Sequence, residues 1–144
     1  MSLIDLLKSF KQGKGTAKSH IKNLIEMAAA DGEFLEVEAI LLKSIAKRNG
    51  ISEKQLEQIR RNQEAVKLEI PINKKERFHQ FYDLVHMMCV DKFIQEEEMK
   101  LCNLFALKFG YHRDNIDQLI DSILSCIEYN RDADDTMGRV LRLI

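Results

Sequence analysis

The sequence contains no tryptophan, one proline, six glycines and only three cysteines among its 144 residues. Three widely spaced cysteines cannot form a closed set of disulfides, which argues against a disulfide-stabilised secreted domain. No apolar run approaches the roughly 18 residues that a transmembrane helix needs. Asp5 and Lys8 interrupt the apolar N-terminal stretch, so that stretch does not resemble a secretory signal. The sequence therefore predicts a cytoplasmic protein.

Neither sign of charge is in excess, because 22 Lys and Arg face 23 Asp and Glu and the formal net charge is −1. This balance gives no general electrostatic attraction to nucleic acid or to an anionic membrane, and we predict no nucleic-acid partner. The hydrophobic fraction of 45% and the charged fraction of 31% are typical of a globular domain and exclude a wholly disordered chain.

Apolar residues recur at helical spacing along most of the chain, and no strand-like alternation is sustained. The pattern is clearest in residues 113–128, whose apolar positions are Ile116, Leu119, Ile120, Ile123, Leu124 and Ile127. Residues 99–109 are apolar nearly all round, as expected of a central helix that is covered on most sides. The sequence predicts an all-α protein, a compact bundle of about seven to eight helices. We place the helices near 2–11, 16–31, 36–49, 52–64, 74–91, 96–109, 113–128 and 132–143.

Helix boundary signals agree with these ranges. Ser52 precedes Gln55 and Asn73 precedes Glu76 by three residues, the spacing of an N-terminal capping box. Gly50 follows a predicted helix at the position where a left-handed residue is favoured. Gly110 has the same place sixty residues later.

A shift of sixty residues aligns two parts of the sequence without a gap. The shift keeps identical residues at Leu24/Leu84, Met27/Met87, Asp31/Asp91, Glu36/Glu96, Glu38/Glu98, Leu41/Leu101, Ala46/Ala106, Gly50/Gly110 and Gln58/Gln118. We interpret this as two helical repeats, residues 17–64 and 74–128, joined by a connector at 65–73 and followed by a C-terminal helix at 132–143. Neither repeat can cover its apolar central helix alone, so a single pseudo-symmetric domain over 1–144 is predicted.

The repeated pattern of Ala-Asp-Gly-x5-Glu before an apolar helix that ends in glycine, with a second Asp-x6-Glu, resembles the TerB-like family. That family includes the tellurite-resistance protein TerB and the N-terminal domain of some membrane-anchored J-domain co-chaperones. The resemblance covers roughly residues 17–130. It implies a compact helical bundle without catalytic activity, linked to stress and metal resistance. The family's recurring acids correspond here to Asp31, Glu38, Asp91 and Glu98. Lys92 departs from the family pattern, which commonly has glycine there, and its ammonium could replace a cation beside Asp91.

The four acids could have either of two roles. Asp31 and Asp91 each end a helix, where a carboxylate is mildly unfavourable, so each could turn over and cap the next helix. Alternatively, Asp and Glu could converge across each turn as oxygen ligands for a weakly bound divalent cation. One Asp and one Glu supply few ligands for a tight site, and the turns do not match an EF-hand, which favours the capping role.

Three other features could carry chemistry. His79, Asp83 and His86 share one helix face and could hold a transition metal, although apolar neighbours suggest that this face borders the core. The three cysteines, Cys89, Cys102 and Cys126, lie in apolar stretches and are expected to be small buried residues rather than nucleophiles. Residues 2–11 form an amphipathic helix that could contact a membrane surface, but docking on its own domain is favoured.

The sequence thus favours a non-enzymatic cytoplasmic helical module that binds protein partners, with no certain cofactor beyond a weakly bound divalent cation. The first alternative is a metal-dependent enzyme that uses Asp31, Glu38, Asp91 and Glu98 as ligands, which requires the two turns to come together around a pocket. The second is a structural scaffold in which the same acids only stabilise the fold.

Overall fold

A computed structural model describes residues 3–14, 23–25, 43, 46–47, 50–61, 70–89 and 96–144. The chain divides into two compact units, residues 1–69 and 70–144. The division falls inside the predicted connector at 65–73. All regular structure in the described residues is helical, without a strand, and this confirms the all-α class for that part of the chain. The single domain over 1–144 stays a prediction.

In the first unit, α1 spans Leu3–Lys11 and α2 spans Glu53–Arg61. The described residues between them, 23–25, 43 and 46–47, are also helical, whereas the rest of the predicted helices 16–31 and 36–49 lies outside the described residues. Helix α1 has its apolar side in the core, since Leu6 is 1% and Leu7 is 4% exposed, while Lys8 and Lys11 face solvent. This burial supports docking on its own domain over contact with a membrane.

The start of α2 is a reciprocal capping box. The backbone N–H of Gln55 donates to Ser52 Oγ at 3.1 Å, and the N–H of Ser52 donates to Gln55 Oε1 at 3.0 Å. Two N–H groups that the helix itself cannot satisfy are thereby paired. The predicted box at Ser52 is confirmed.

In the second unit, α3 spans Lys74–Met88, α4 spans Glu96–Lys108, α5 spans Arg113–Glu128 and α6 spans Ala133–Arg139. A 3₁₀ turn follows at Leu141–Leu143. Helix α3 packs against α4, α5 and α6, while α5 also packs against α4 and the 3₁₀ turn. Asn73 caps α3, its Oδ1 accepting the N–H of Glu76 at 3.0 Å, as its sequence position predicts.

Two predicted helix ends were wrong. Helix α3 ends at Met88 rather than 91, because the N–H of Cys89 already bonds two carbonyls, those of Val85 and His86, and closes the last turn. The predicted helix at 132–143 is broken at Val140, whose N–H is shared between the carbonyls of Thr136 and Met137 at 3.2 Å. Such shared bonds are typical of a helix that tightens and stops.

Aromatic side chains fill the core of the second unit. Phe78, Phe81, Phe105 and Phe109 are almost completely buried. The ring centroid of Phe81 lies 5.6 Å from that of Phe109 and 5.2 Å from that of Tyr111, within the range of favourable aromatic contacts. Helix α4 buries Leu101, Cys102, Leu104, Phe105 and Ala106.

The turns at Gly50 and Gly110 have the same local geometry. Their φ angles are 79° and 84°. The N–H of Ile51 bonds the carbonyl of Ala46 at 2.9 Å, and the N–H of Tyr111 bonds that of Ala106 at 3.1 Å. Both turns are Schellman-type helix ends, which need a left-handed residue and therefore favour glycine.

Candidate functional site

The four predicted acids lie mostly beyond the described part of the chain. Asp31, Glu38 and Asp91 are outside the described residues, and Glu98 is described only as backbone in the first turn of α4. The two predicted roles of these acids, as cation ligands or as helix caps, therefore stay predictions.

At the acidic start of α4, the side chain of Glu96 is described. Glu96 opens the helix, where the partial positive charge of the helix N-terminus favours a carboxylate. Its Oε1 lies 3.8 Å from Nζ of Lys100, one turn later, and both side chains are largely in solvent. An exposed pair of this kind contributes little to stability and leaves the carboxylate accessible to other cations.

His79 forms an interhelical contact instead of joining the predicted metal ligands. Its Nε2–H donates to Oδ1 of Asp134 on α6 at 2.8 Å. No group of three or more His, Cys, Asp or Glu among the described residues is arranged to hold a metal ion, so the proposed site at His79, Asp83 and His86 is wrong. The buried neighbours Phe78 and Tyr82 confirm that this face borders the core.

Asp134 contacts two side chains of α3, through a hydrogen bond from His79 and an ion pair with Lys75. The hydrogen bond from His79 lowers the pKa of Asp134, and the charge of Lys75, whose Nζ is 3.7 Å from the same oxygen, lowers it further. The ionised carboxylate is the form that both partners favour. The contact therefore joins α6 to the exposed edge of α3 by charge-assisted bonds.

A second hydrogen bond joins α3 to the residues just before α6 and is more buried. The hydroxyl of Tyr82 donates to the backbone carbonyl of Arg131 at 2.5 Å. Burial raises the pKa of Tyr82, and the nearby carboxylates of Asp83 and Asp132 raise it further, so the hydroxyl keeps its proton. Sequence reasoning missed both contacts, since their partners are about fifty residues apart and no local pattern links them.

Helix α6 is also organised by charges of its own. Asp132 Oδ1 accepts the N–H of Asp135 at 2.8 Å and caps the helix. The carboxylate of Asp135 then pairs with Arg131 at 3.2 Å and with Arg139 at 3.4 Å. His112 is another cap that sequence reasoning missed: its Nδ1 accepts the N–H of Asp114 at the start of α5. The sequence did contain a signal for this cap, because His112 directly precedes the predicted first residue of the helix, Arg113.

All three cysteines are free thiols. Cys102 and Cys126 are buried, as predicted, and Cys102 Sγ lies 3.2 Å from Met88 Sδ. Cys89 is only half-buried, which differs from the prediction, and its thiol donates to the carbonyl of His86. Burial raises the pKa of Cys89 and so disfavours the thiolate that a nucleophile requires.

Tyr111 carries an unusual hydroxyl. The side chain is almost fully buried, yet its oxygen has no hydrogen-bond partner in the described part of the chain, and the same holds for Nε of Arg77. The Arg77 guanidinium carbon lies 6.0 Å from the centre of the Tyr111 ring. Burial raises the pKa of Tyr111 to about 12, outweighing the opposing effect of Arg77. The phenol is therefore neutral at physiological pH.

Within the described residues, no helix combines the length and the apolar character needed to cross a bilayer. Comparison of the chain with protein-family models, with curated proteins and with solved structures found no match.

Proposed function

We propose that this chain is a non-enzymatic interaction module of the TerB-like type. In this proposal, the chain consists of two helical repeats, 17–64 and 74–128, and the turns at Asp31/Glu38 and Asp91/Glu98 are the recognition elements. The turns present carboxylates to a basic surface of a protein partner, and they bind divalent cations weakly and exchangeably.

The observation that carries the proposal is the equivalence of the two glycine turns. Gly50 and Gly110 are sixty residues apart, the offset of the sequence repeat, and they share the same left-handed conformation and the same closing hydrogen bonds. The next helices also start at equivalent positions, Glu53 and Arg113. Any glycine C-cap can have this turn geometry, so it is the sixty-residue spacing of the two turns that supports the repeat.

Burial at equivalent positions agrees with the same offset. Fully or almost fully buried pairs are Leu24/Leu84, Ile25/Val85, Ala46/Ala106, Ile51/Tyr111 and Leu56/Ile116. Side chains that match in burial as well as in apolar character support two copies of one structural unit. The acids Asp31 and Asp91 occupy equivalent positions in that repeat, which is why we treat the two turns as a pair.

Cytoplasmic residence and a role in tellurite or metal stress are part of the proposal and rest on the composition and on the family resemblance. The accessible carboxylate of Glu96, which is paired only with an exposed lysine among the described residues, supports an acidic surface at the second turn.

The experiment compares partner capture by three forms of the protein in its source cells after cross-linking. The test form is Asp31→Asn/Asp91→Asn, and the matched control is Asp117→Asn/Asp121→Asn, which makes the same change in charge at exposed positions of α5. We expect basic partners that the control retains and the test form loses. Circular dichroism of each form verifies that the fold is intact.

Other results would replace the proposal. If the test form captures the same proteins as the wild type and only melts at a lower temperature, the acids are helix caps in a structural scaffold. A metal-dependent hydrolytic activity that the test form loses would instead establish the enzyme that uses Asp31, Glu38, Asp91 and Glu98.

A further inference from the structure

The C-terminal segment, residues 131–144, has little structural stability of its own. Its helix α6 is only seven residues long, contains Gly138 and is followed by a short 3₁₀ turn. Helices of this length are marginal in water, and glycine in a helix interior weakens them further. The segment is therefore ordered because it docks on the helices next to it.

Few side chains anchor this segment. Thr136, Val140 and Leu143 are buried, and the hydroxyl of Thr136 bonds within the segment itself, to the carbonyl of Asp132. Leu141, by contrast, is 55% exposed. By comparison, α5 buries Ile116, Leu119, Ile120, Ile123 and Cys126. The segment buries two apolar side chains, Val140 and Leu143, and α5 buries five, so apolar burial stabilises the segment less than the neighbouring helix.

Hydrogen bonds and an ion pair from side chains of α3 also hold the segment in place. The hydroxyl of Tyr82 holds the carbonyl of Arg131, and His79 and Lys75 hold the carboxylate of Asp134. The Asp134 side chain is 65% exposed, so water can take the place of its partners when the contact breaks. These edge bonds therefore exchange readily with water and add little to the burial of Thr136, Val140 and Leu143.

We propose that residues 131–144 are a latch, which opens as one unit while α3, α4 and α5 stay folded. Opening breaks the contacts of α6 with α3 and of the 3₁₀ turn with α5. It uncovers the side of α3 that carries Tyr82 and the end of α5 that carries Cys126. This device is independent of the acidic turns and of the proposed function.

Amide hydrogen exchange on the full chain tests the latch. The reporters are the amides of Thr136, Val140 and Leu143, which all donate backbone hydrogen bonds. We expect them to exchange at least about tenfold faster than the amides at 119–126 in the interior of α5, because they open without global unfolding. Equal protection of both groups would overturn the proposal.

A pair of variants separates the latch from general destabilisation. Asp134→Asn removes the charge that His79 and Lys75 contact, and we expect about two- to fivefold faster exchange in the latch, as for an exposed ion pair, with no change at 119–126. Asp117→Asn, which makes the same charge change at an exposed position of α5, should leave both unchanged. Equal acceleration of latch and α5 by Asp134→Asn would contradict the proposal.

The native cysteines provide a second readout that needs no variant. The backbone carbonyl of Cys126 accepts the N–H of Arg131, the first residue of the latch, whereas Cys102 lies in the core beside Met88. With iodoacetamide, the latch predicts faster alkylation of Cys126 than of Cys102. Alkylation of both at one rate would show that the segment opens only when the whole unit unfolds.

Discussion

Nε2 of His79 on α3 lies 2.8 Å from Oδ1 of Asp134 on α6, although 55 residues separate the two in the chain. Together with the bond from Tyr82 to Arg131, this contact fixes the position of the C-terminal segment along α3. The face of α3 that looked like a metal site is therefore a docking face for α6. An imidazole used in this way is a structural donor to a carboxylate.

Acid should weaken the contact at Asp134. A carboxyl whose pKa is lowered by folding stabilises the folded state above its ordinary pKa of 3.8, and this contribution is lost as pH falls through the lowered pKa. We expect the difference in unfolding free energy between wild type and Asp134→Asn to be present above pH 3.8 and to disappear in strong acid. Urea titrations over a pH series measure it. A difference that stays constant with pH would contradict the assignment of the charge to this contact.

Tyr111→Phe should cost no stability at neutral pH and should protect the protein in alkali. The buried hydroxyl has no partner in the described residues, so its removal leaves no unpaired group behind. In the wild type, the pKa rises from 10.0 to about 12 on folding, so ionisation favours the unfolded state above pH 10. The wild type should lose about 1.4 kcal/mol relative to the variant at pH 11. If Tyr111→Phe loses stability at neutral pH, the hydroxyl has a partner.

The helix class and most helix ends could be predicted because they depend on neighbours in sequence. The periodicity at 113–128 matches α5, and the Ser52 box and the Gly110 turn have the predicted positions. The break at Val140 could not be read, because the apolar spacing runs on through 132–143 while the shared N–H bond ends the helix. Backbone hydrogen bonding at Val140 sets that boundary, and the spacing of apolar residues carries no information about it.

Replacement of either turn glycine by alanine should destabilise the protein by about 1 kcal/mol, since an L-residue is strained at positive φ. The effect should be similar for Gly50→Ala and Gly110→Ala, because neither added Cβ meets an atom within 4 Å and the backbone alone sets the cost. Denaturant unfolding of both variants is the measurement.

Gly138→Ala is the matched control for these turns. Gly138 lies inside α6 with no neighbour within 4 Å of an added Cβ and without a positive φ. Alanine there should stabilise the helix by about 0.5–1 kcal/mol. A loss of stability in this variant, or no loss in the two turn variants, would contradict the role given to the glycine conformation.

Phe81→Ala should be among the most damaging substitutions in the second unit. The ring is fully buried and contacts both Phe109 and Tyr111. The cavity left by its removal should cost about 3–5 kcal/mol of unfolding free energy. Tyr129→Ala, at a side chain that is 71% exposed, should change stability by less than about 0.5 kcal/mol. Similar values for the two variants would mean that the aromatic cluster is not the core.

The candidate site was less accessible to sequence reasoning than the fold. Proximity of His79, Asp83 and His86 follows from helical spacing, but the preference of His79 for Asp134 depends on how α6 folds back on α3. Such a contact joins elements that no local signal relates. The paired acids are different, because the sixty-residue offset relates Asp31 to Asp91 in the sequence itself.

Cation binding at the acidic turns is tested most directly by calorimetric titration of Ca²⁺, Mg²⁺, Mn²⁺ and Zn²⁺ into metal-stripped protein. The same titrations are made with the Asp31→Asn/Asp91→Asn variant. We expect weak, saturable heat with at least one of these cations in the wild type and its loss in the variant. The control Asp117→Asn/Asp121→Asn should bind as the wild type does. The proposed cation binding would be contradicted if the wild type gave no saturable heat with any cation and the variant only melted at a lower temperature. The acids would then be helix caps.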